Sequence, residues 1–365
     1  MKWLLPILLL CALTALASGT QQGDAIQGFS FSISPGEPAT SSFPDELKQI
    51  LLEKKATKFT IGLSKKGKTI EAYFFPGRSA FNALVIGGVH GSELSSVEVT
   101  NTLVQQLFKR DSIFYNVIII PCLFPDNAAT AEELKREIGT LKNVGRYSFS
   151  GAPDPNRQMP APGTPLNEVE YLDHAGRKIE TENILLLQLI NEFKPQRIAS
   201  VHAIHNKQYS GFFADPRTDE LSMALGYETD SLLALSMANH VEILGGSSPG
   251  NFIYKKPTTL YYKDPLAVEK GNFQQRNFIG SSTAGQSDGG VSLGTWAATA
   301  VKDTTDPTSN RDAIRIITIE FPGNKRPQDY SSYKQQQYCR QQVNRFAAAI
   351  HNIFLQDFFI EAVAE

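Results

Sequence analysis

The chain has little of the chemistry that most often staples a small protein together. Its 365 residues include three cysteines and two tryptophans, too few cysteines for a disulfide framework or a four-cysteine zinc knot. Cys11 lies in an apolar leader, Cys122 ends the run Val117-Ile118-Ile119-Ile120-Pro121-Cys122, and Cys339 falls in a helical stretch. The last two are expected as buried thiols. Excess charge is also missing: 35 Lys and Arg against 37 Asp and Glu leave a net charge of -2. That balance argues against nucleic acid or an anionic membrane as a partner. No internal repeat, low-complexity tract or linker interrupts the chain after residue 44.

No apolar run is long enough for a confident membrane span either. The longest, Trp3 to Leu16 behind Lys2, ends in Ala15-Leu16-Ala17 and then turns polar, the layout of a cleavable secretory signal. The small residue expected before a lipidated cysteine is absent ahead of Cys11. We therefore expect residues 1–19 as a signal peptide, 20–43 as a flexible leader rich in Ser, Gly, Gln and Pro, and 44–365 as one folded domain. The mature protein would be periplasmic or secreted, with no stable membrane insertion.

What is present is an ordinary globular mixture, 41% hydrophobic and 20% charged, patterned as α/β. Helical periodicity covers 45–56, 94–109, 127–138, 182–193, 229–243 and 329–359, with shorter helices expected near 217–226 and over 293–300. Strands are expected over 58–63 and 69–75 as a hairpin turning at Lys66-Gly67, then over 83–89, 116–123, 197–204 and 314–321. Strand, helix and strand over 83–123 make a β-α-β unit. The whole predicts a single α/β domain with a central mixed, mostly parallel twisted sheet flanked by helices. From Gly139 to Arg177 the chain is rich in Gly, Pro, Asn and Asp, and a loop that long in a compact domain is usually functional.

The domain is organised around Val85-Ile86-Gly87-Gly88-Val89-His90-Gly91-Ser92-Glu93, an apolar run breaking into His-Gly-Ser-Glu ahead of a helix. A turn at the mouth of the sheet would let His90 and Glu93 reach one metal ion. Random occurrence of His-x-x-Glu with six histidines has about one chance in three, so spacing alone is weak, and Ser92-Glu93 also suits a helix cap. A hydrolytic zinc needs three protein ligands and an open position. His202 at the end of its own strand is the first candidate for the third, and His205 its competitor. Glu320 closes the apolar strand Arg315–Phe321, where a carboxylate needs either a task as general base or an ion pair with Arg315 or Lys325. In the long loop, Asn156 and Arg157 suit capture of a carboxylate, although such a pair is often mere surface. Arg146, with Arg136 as its rival, is a further cation that could stabilise an oxyanion. His174, His240 and His351 show no ligand spacing.

These pieces together resemble the carboxypeptidase A-like zinc carboxypeptidases. The resemblance rests on Gly87–Glu93, Asp154–Arg157, Ser200-Val201-His202-Ala203 and Thr318-Ile319-Glu320 in that order, with support from Ile61–Ser64, Gly67–Ile70 and Ile120–Asp126. It implies a carboxypeptidase-like catalytic domain holding one Zn2+ on His90, Glu93 and His202. It further implies Glu320 as general base, Asn156 and Arg157 on the substrate carboxylate, Arg146 on the scissile carbonyl, and Asp154 orienting His90. The segment Gly290-Val291-Ser292-Leu293-Gly294-Thr295-Trp296-Ala297 is similar to the murein peptide amidase branch, which implies a peptide or muropeptide substrate with a free carboxylate. Pro155 and Gln286-Ser287-Asp288-Gly289 depart from the family pattern and bear on side-chain preference. The rivals are a general peptide carboxypeptidase, an aspartoacylase-like deacylase of acyl amino acids, and a binding protein without turnover.

Overall fold

Runs of Val and Ile with no polar alternation mark strands buried on both faces, and four of them form the centre of the sheet in the computed structural model. The structure describes residues 42–109, 112–166, 170–219, 223–225, 227–251 and 290–357. Strands β1 (Thr57–Leu63), β2 (Thr69–Phe75), β3 (Asn82–Ile86), β4 (Asn116–Ile120), β5 (Arg197–Ile204) and β6 (Gly211–Ala214) precede a two-stranded ribbon, β7 (Arg217–Thr218) with β8 (Ala224–Leu225), and the last strand is β9 (Arg315–Pro322). The main sheet runs β1-β2-β4-β3-β5-β9-β6. Its central four strands are parallel, and β2 and β6 join them antiparallel from either side. The fold is thus the mixed α/β sheet expected.

The helices among the described residues are α1 (Ser42–Glu53), α2 (Leu94–Leu107), α3 (Pro125–Glu133), α4 (Thr181–Phe193), α5 (Tyr227–Ile243), α6 (Leu293–Ala298) and α7 (Tyr333–Ala349). Two apolar layers enclose the sheet. Helices α2, α5 and α7 supply Leu103, Met237 and Phe346 to one. Helices α1, α4 and α6 supply Leu47, Leu187 and Trp296 to the other. Because β3 pairs with β4 on one side and β5 on the other, the chain changes direction at β3. Open α/β sheets bind ligands at such a switch, outside the carboxyl ends of the strands.

Several boundaries differ from the sequence expectation. The helix expected over 127–138 starts at Pro125, whose fixed φ suits a first helical position, and stops at Glu133. Within the short helix expected near 217–226, Arg217–Thr218 and Ala224–Leu225 are strands of the β7–β8 ribbon instead, and the Asp219 carboxylate accepts from the Met223 N–H at 2.7 Å. Strand β6 was not legible in its four residues, Gly-Phe-Phe-Ala. The closing helix begins at Tyr333 and passes into a π turn over Ile350–Phe354. No helix among the described residues is long and apolar enough to cross a membrane. The leader expectations over 1–41, and Gln286 to Gly289 with Asp288, lie outside the described residues.

Candidate metal centre

The His90 turn depends on glycine. Gly88 adopts φ +63°, which L side chains rarely do, and a Cβ on Gly91 would lie 2.2 Å from the Asn127 carbonyl carbon. The Glu93 N–H closes the turn on the His90 carbonyl at 3.0 Å. Glu93 occupies the N-cap of α2, yet its side chain makes no capping bond. The capping alternative for the Ser92-Glu93 pair is therefore excluded for Glu93, because its carboxylate turns towards the histidines.

His90, Glu93 and His202 are buried and offer ligand atoms all within 4.8 Å of one another. His90 Nδ1 lies 2.9 Å from Glu93 Oε1 and 3.3 Å from His202 Nδ1, while Glu93 Oε2 lies 3.2 Å from His202 Nδ1. Both imidazoles present Nδ1 to the shared centre and anchor Nε2 outside it. His90 Nε2 meets Asp154 Oδ1 at 2.7 Å, and His202 Nε2 meets Ser200 Oγ at 3.0 Å. Held outer nitrogens of this kind orient metal-binding histidines. Two imidazoles and a buried carboxylate are a donor set suited to a hydrolytic metal ion. His205, by contrast, is exposed and engages the Gly139 carbonyl at 3.2 Å.

Burial alone would strip charge from these groups. Against it, His90, His202 and Arg146 hold the Glu93 carboxyl well below the usual range. Against the same burial, the Glu93 charge raises His90 to about 9, whereas His202 is lowered by its burial. Arg146 donates from Nη1 to Glu93 Oε1 at 2.6 Å and from Nε to the Tyr147 hydroxyl at 3.2 Å, so it overhangs the donors. Arg136 is exposed.

Glu320 pairs in register with His202 on the neighbouring strand, which sets it beside the cluster. Neither rival ion pair forms: Arg315 binds Asp230 at 2.5 Å, and Lys325 lies over the Tyr330 ring. Burial, and then the Glu93 charge, push the Glu320 carboxyl up to about 8.

Asp154 Oδ1 also accepts the Asn156 N–H at 2.8 Å, so a single oxygen ties a metal-facing histidine to the Asn156–Arg157 pair. Pro155 opens the short 3₁₀ turn between them. Asn156 Oδ1 accepts from the Leu293 N–H at 3.1 Å. Among the described residues, Arg157 Nε is buried without a partner. Its backbone is fixed by Arg177 at 3.1 Å and by Gly290, where a Cβ would lie 2.1 Å from the Arg157 carbonyl oxygen. The structure thus brings all eight expected residues to one edge of the sheet.

Sequence reasoning missed Ser200 and the Ala203 N–H, which donates to Glu93 Oε2 at 3.0 Å. Strand alternation was the available signal for Ser200, since residues two apart share a face with His202.

Neither the protein-family models nor the curated proteins contain a match to the chain. Solved structures do. The murein-tripeptide amidase of Escherichia coli O157 is 18% identical, covering 80% of this chain and 91% of its own, with a TM-score of 0.43. Carboxypeptidase A from Helicoverpa armigera is 12% identical over 85% of this chain and 71% of its own, at TM-score 0.46. A metallo-carboxypeptidase from Burkholderia cenocepacia is 10% identical over 83% and 66%, at 0.41.

Proposed function

We propose that the protein is an exported zinc-dependent carboxypeptidase or amidase. It would hydrolyse the bond next to a terminal, carboxylate-bearing residue, with peptidoglycan-derived peptides as its substrates. The observation that carries this is the convergence of His90 Nδ1, Glu93 and His202 Nδ1, with Glu320 in register beside His202. In this reading one zinc ion is held by those three side chains, and it supplies Lewis-acid polarisation of a carbonyl and of water.

The remaining steps belong to the chain itself. Arg157 and the Asn156 amide dock the substrate's free carboxylate, which sets the scissile bond against the metal-binding cluster. Glu320 takes the proton of the attacking water and delivers it to the departing nitrogen, a task suited to a carboxyl raised into the neutral range. Arg146 stabilises the charge that develops on the carbonyl oxygen. Asp154 keeps the histidine and the docking pair in one frame. The segment Gly290–Ala297, which resembles the murein amidase branch, is the one that packs on Asn156 and Arg157. That contact and the secretion-like leader support cell-wall peptides over free acyl amino acids.

Mass spectrometry of murein tripeptides, plain peptides and acyl amino acids after incubation with the zinc-loaded protein tests the reading. Release of diaminopimelate is the expected result. Release of ordinary C-terminal residues alone would narrow it to a general carboxypeptidase, and deacylation alone would replace it.

A further inference from the structure

The segment that carries Asn156 and Arg157 has no helix or strand ladder to fix it beyond one short 3₁₀ turn. Even so, all five backbone carbonyls from Pro153 to Arg157 are taken. Gln158 Nε2 donates to the Pro153 carbonyl at 3.4 Å, Asn183 Nδ2 to that of Pro155 at 2.8 Å, and Arg177 Nη2 to that of Arg157 at 3.1 Å. Within the segment, the Arg157 N–H closes on the Asp154 carbonyl at 2.8 Å and Arg157 Nη1 on that of Asn156 at 2.6 Å.

Gln158 and Asn183 are the buried part of this frame, at 0% and 1% exposure. A buried amide is costly unless its hydrogen bonds are made, and those of Gln158 are specific. The Glu180 N–H donates to Gln158 Oε1 at 3.0 Å, and Gln158 Nε2 donates to Glu180 Oε2 at 3.0 Å. One acceptor and one donor on a single planar group answer both, which neither a carboxylate nor a hydrocarbon could do. Glu180 is the N-cap of α4, so the segment is fastened to a core helix. On its other side the Met159 N–H meets the Val291 carbonyl at 3.1 Å. The backbone of Asn156 and Arg157 is therefore fixed before a ligand arrives, and binding need not order it.

We propose that Gln158 and Asn183 are positioning residues for carboxylate capture. Neither meets the ligand; they hold Asn156 and Arg157 in the one geometry that distinguishes a free carboxyl group from its amide. This rests on the peptidase reading above.

The test is calorimetric binding of an N-acyl dipeptide and of its C-terminal amide to the zinc-loaded Glu320→Gln protein, in which turnover is stopped. The same protein is compared with Gln158→Met, Asn183→Leu or Glu180→Ala added. Without an added change, the acid should bind about tenfold tighter than the amide or more. Each substitution should cut that ratio to about threefold or less, with zinc content and affinity for the amide near native. Glu180 is partly exposed, so its loss is the one the fold should tolerate best. A ratio that survives in the folded variants, or an equal loss for acid and amide, would overturn the proposal and leave the peptidase reading standing. No acid preference in the Glu320→Gln protein itself would reject the docking role of Asn156 and Arg157, and this proposal with it. Hydrogen exchange at the Asn156, Arg157 and Met159 amides needs no change in the frame. It should be equally slow with and without the acid; protection that appears only with the acid would also overturn the proposal.

Discussion

The two ends of the parallel sheet both bury charge, and they treat it oppositely. At the amino ends of β5 and β9, Asp230 is fully buried between Arg217 Nε and Arg315 Nε, each at 2.5 Å. Arg197 beside them stacks on Tyr115 at 4.1 Å and donates to the Phe354 carbonyl at 2.7 Å. Every group there is closed off by another. At the carboxyl ends the charges converge without closing: among the described residues Glu320 has no partner, Arg157 Nε is unpaired, and Asp215 accepts only from the Thr318 hydroxyl. A satisfied cluster staples the fold, whereas groups left open are the ones a ligand can complete.

The largest effect should break the open end without touching the closed one. Glu320→Gln is expected to lower kcat by about a thousandfold or more, while thermal unfolding and zinc content stay close to native. The reciprocal change is Asp230→Ala, which leaves two partly buried arginines uncompensated. It should destabilise the fold by about 3–5 kcal/mol in denaturant titration and leave the zinc affinity of the folded fraction near native.

Asp215 sharpens the contrast through pH. Its carboxyl is raised from 3.8 to about 7 in the fold, so between those values the folded state binds more protons than the unfolded one. Stability of the ligand-free protein should therefore fall as pH rises through that window. Asp215→Asn should remove this loss, leaving the variant more stable than native at pH 8 by on the order of 2–4 kcal/mol and close to it at pH 4. A flat native profile would contradict the assignment. The smallest effect is expected from Ser200→Ala, which frees His202 Nε2 and should weaken zinc binding about tenfold to a hundredfold in competition with a chelator.

The residues differ in how far sequence alone exposed them. His90, His202 and Glu320 were legible because each lies at the end of an apolar run that places it at a sheet edge, and Glu93 by its spacing from His90. Asn156 and Arg157 became legible only in order with the other motifs, since a loop pair has no period. Ser200 and the Ala203 amide were hidden because a serine two residues before a histidine is ordinary in a strand. Asp215 was hidden by β6 itself, too short to show alternation. The helix expected near 217–226 failed for a similar reason: the strand pairing of Arg217–Thr218 with Ala224–Leu225 and the Asp219 side-chain bond to the Met223 N–H outweighed local helical propensity.

The central claim is that His90, Glu93 and His202 form one metal centre. Elemental analysis after zinc loading and dialysis tests it most directly, using the native chain, His202→Ala and His205→Ala. The account predicts about one zinc per chain in the native protein and in His205→Ala, and almost none in His202→Ala, where one of three ligands is gone. Native protein that retains no zinc, or His202→Ala that retains it fully, would contradict the account.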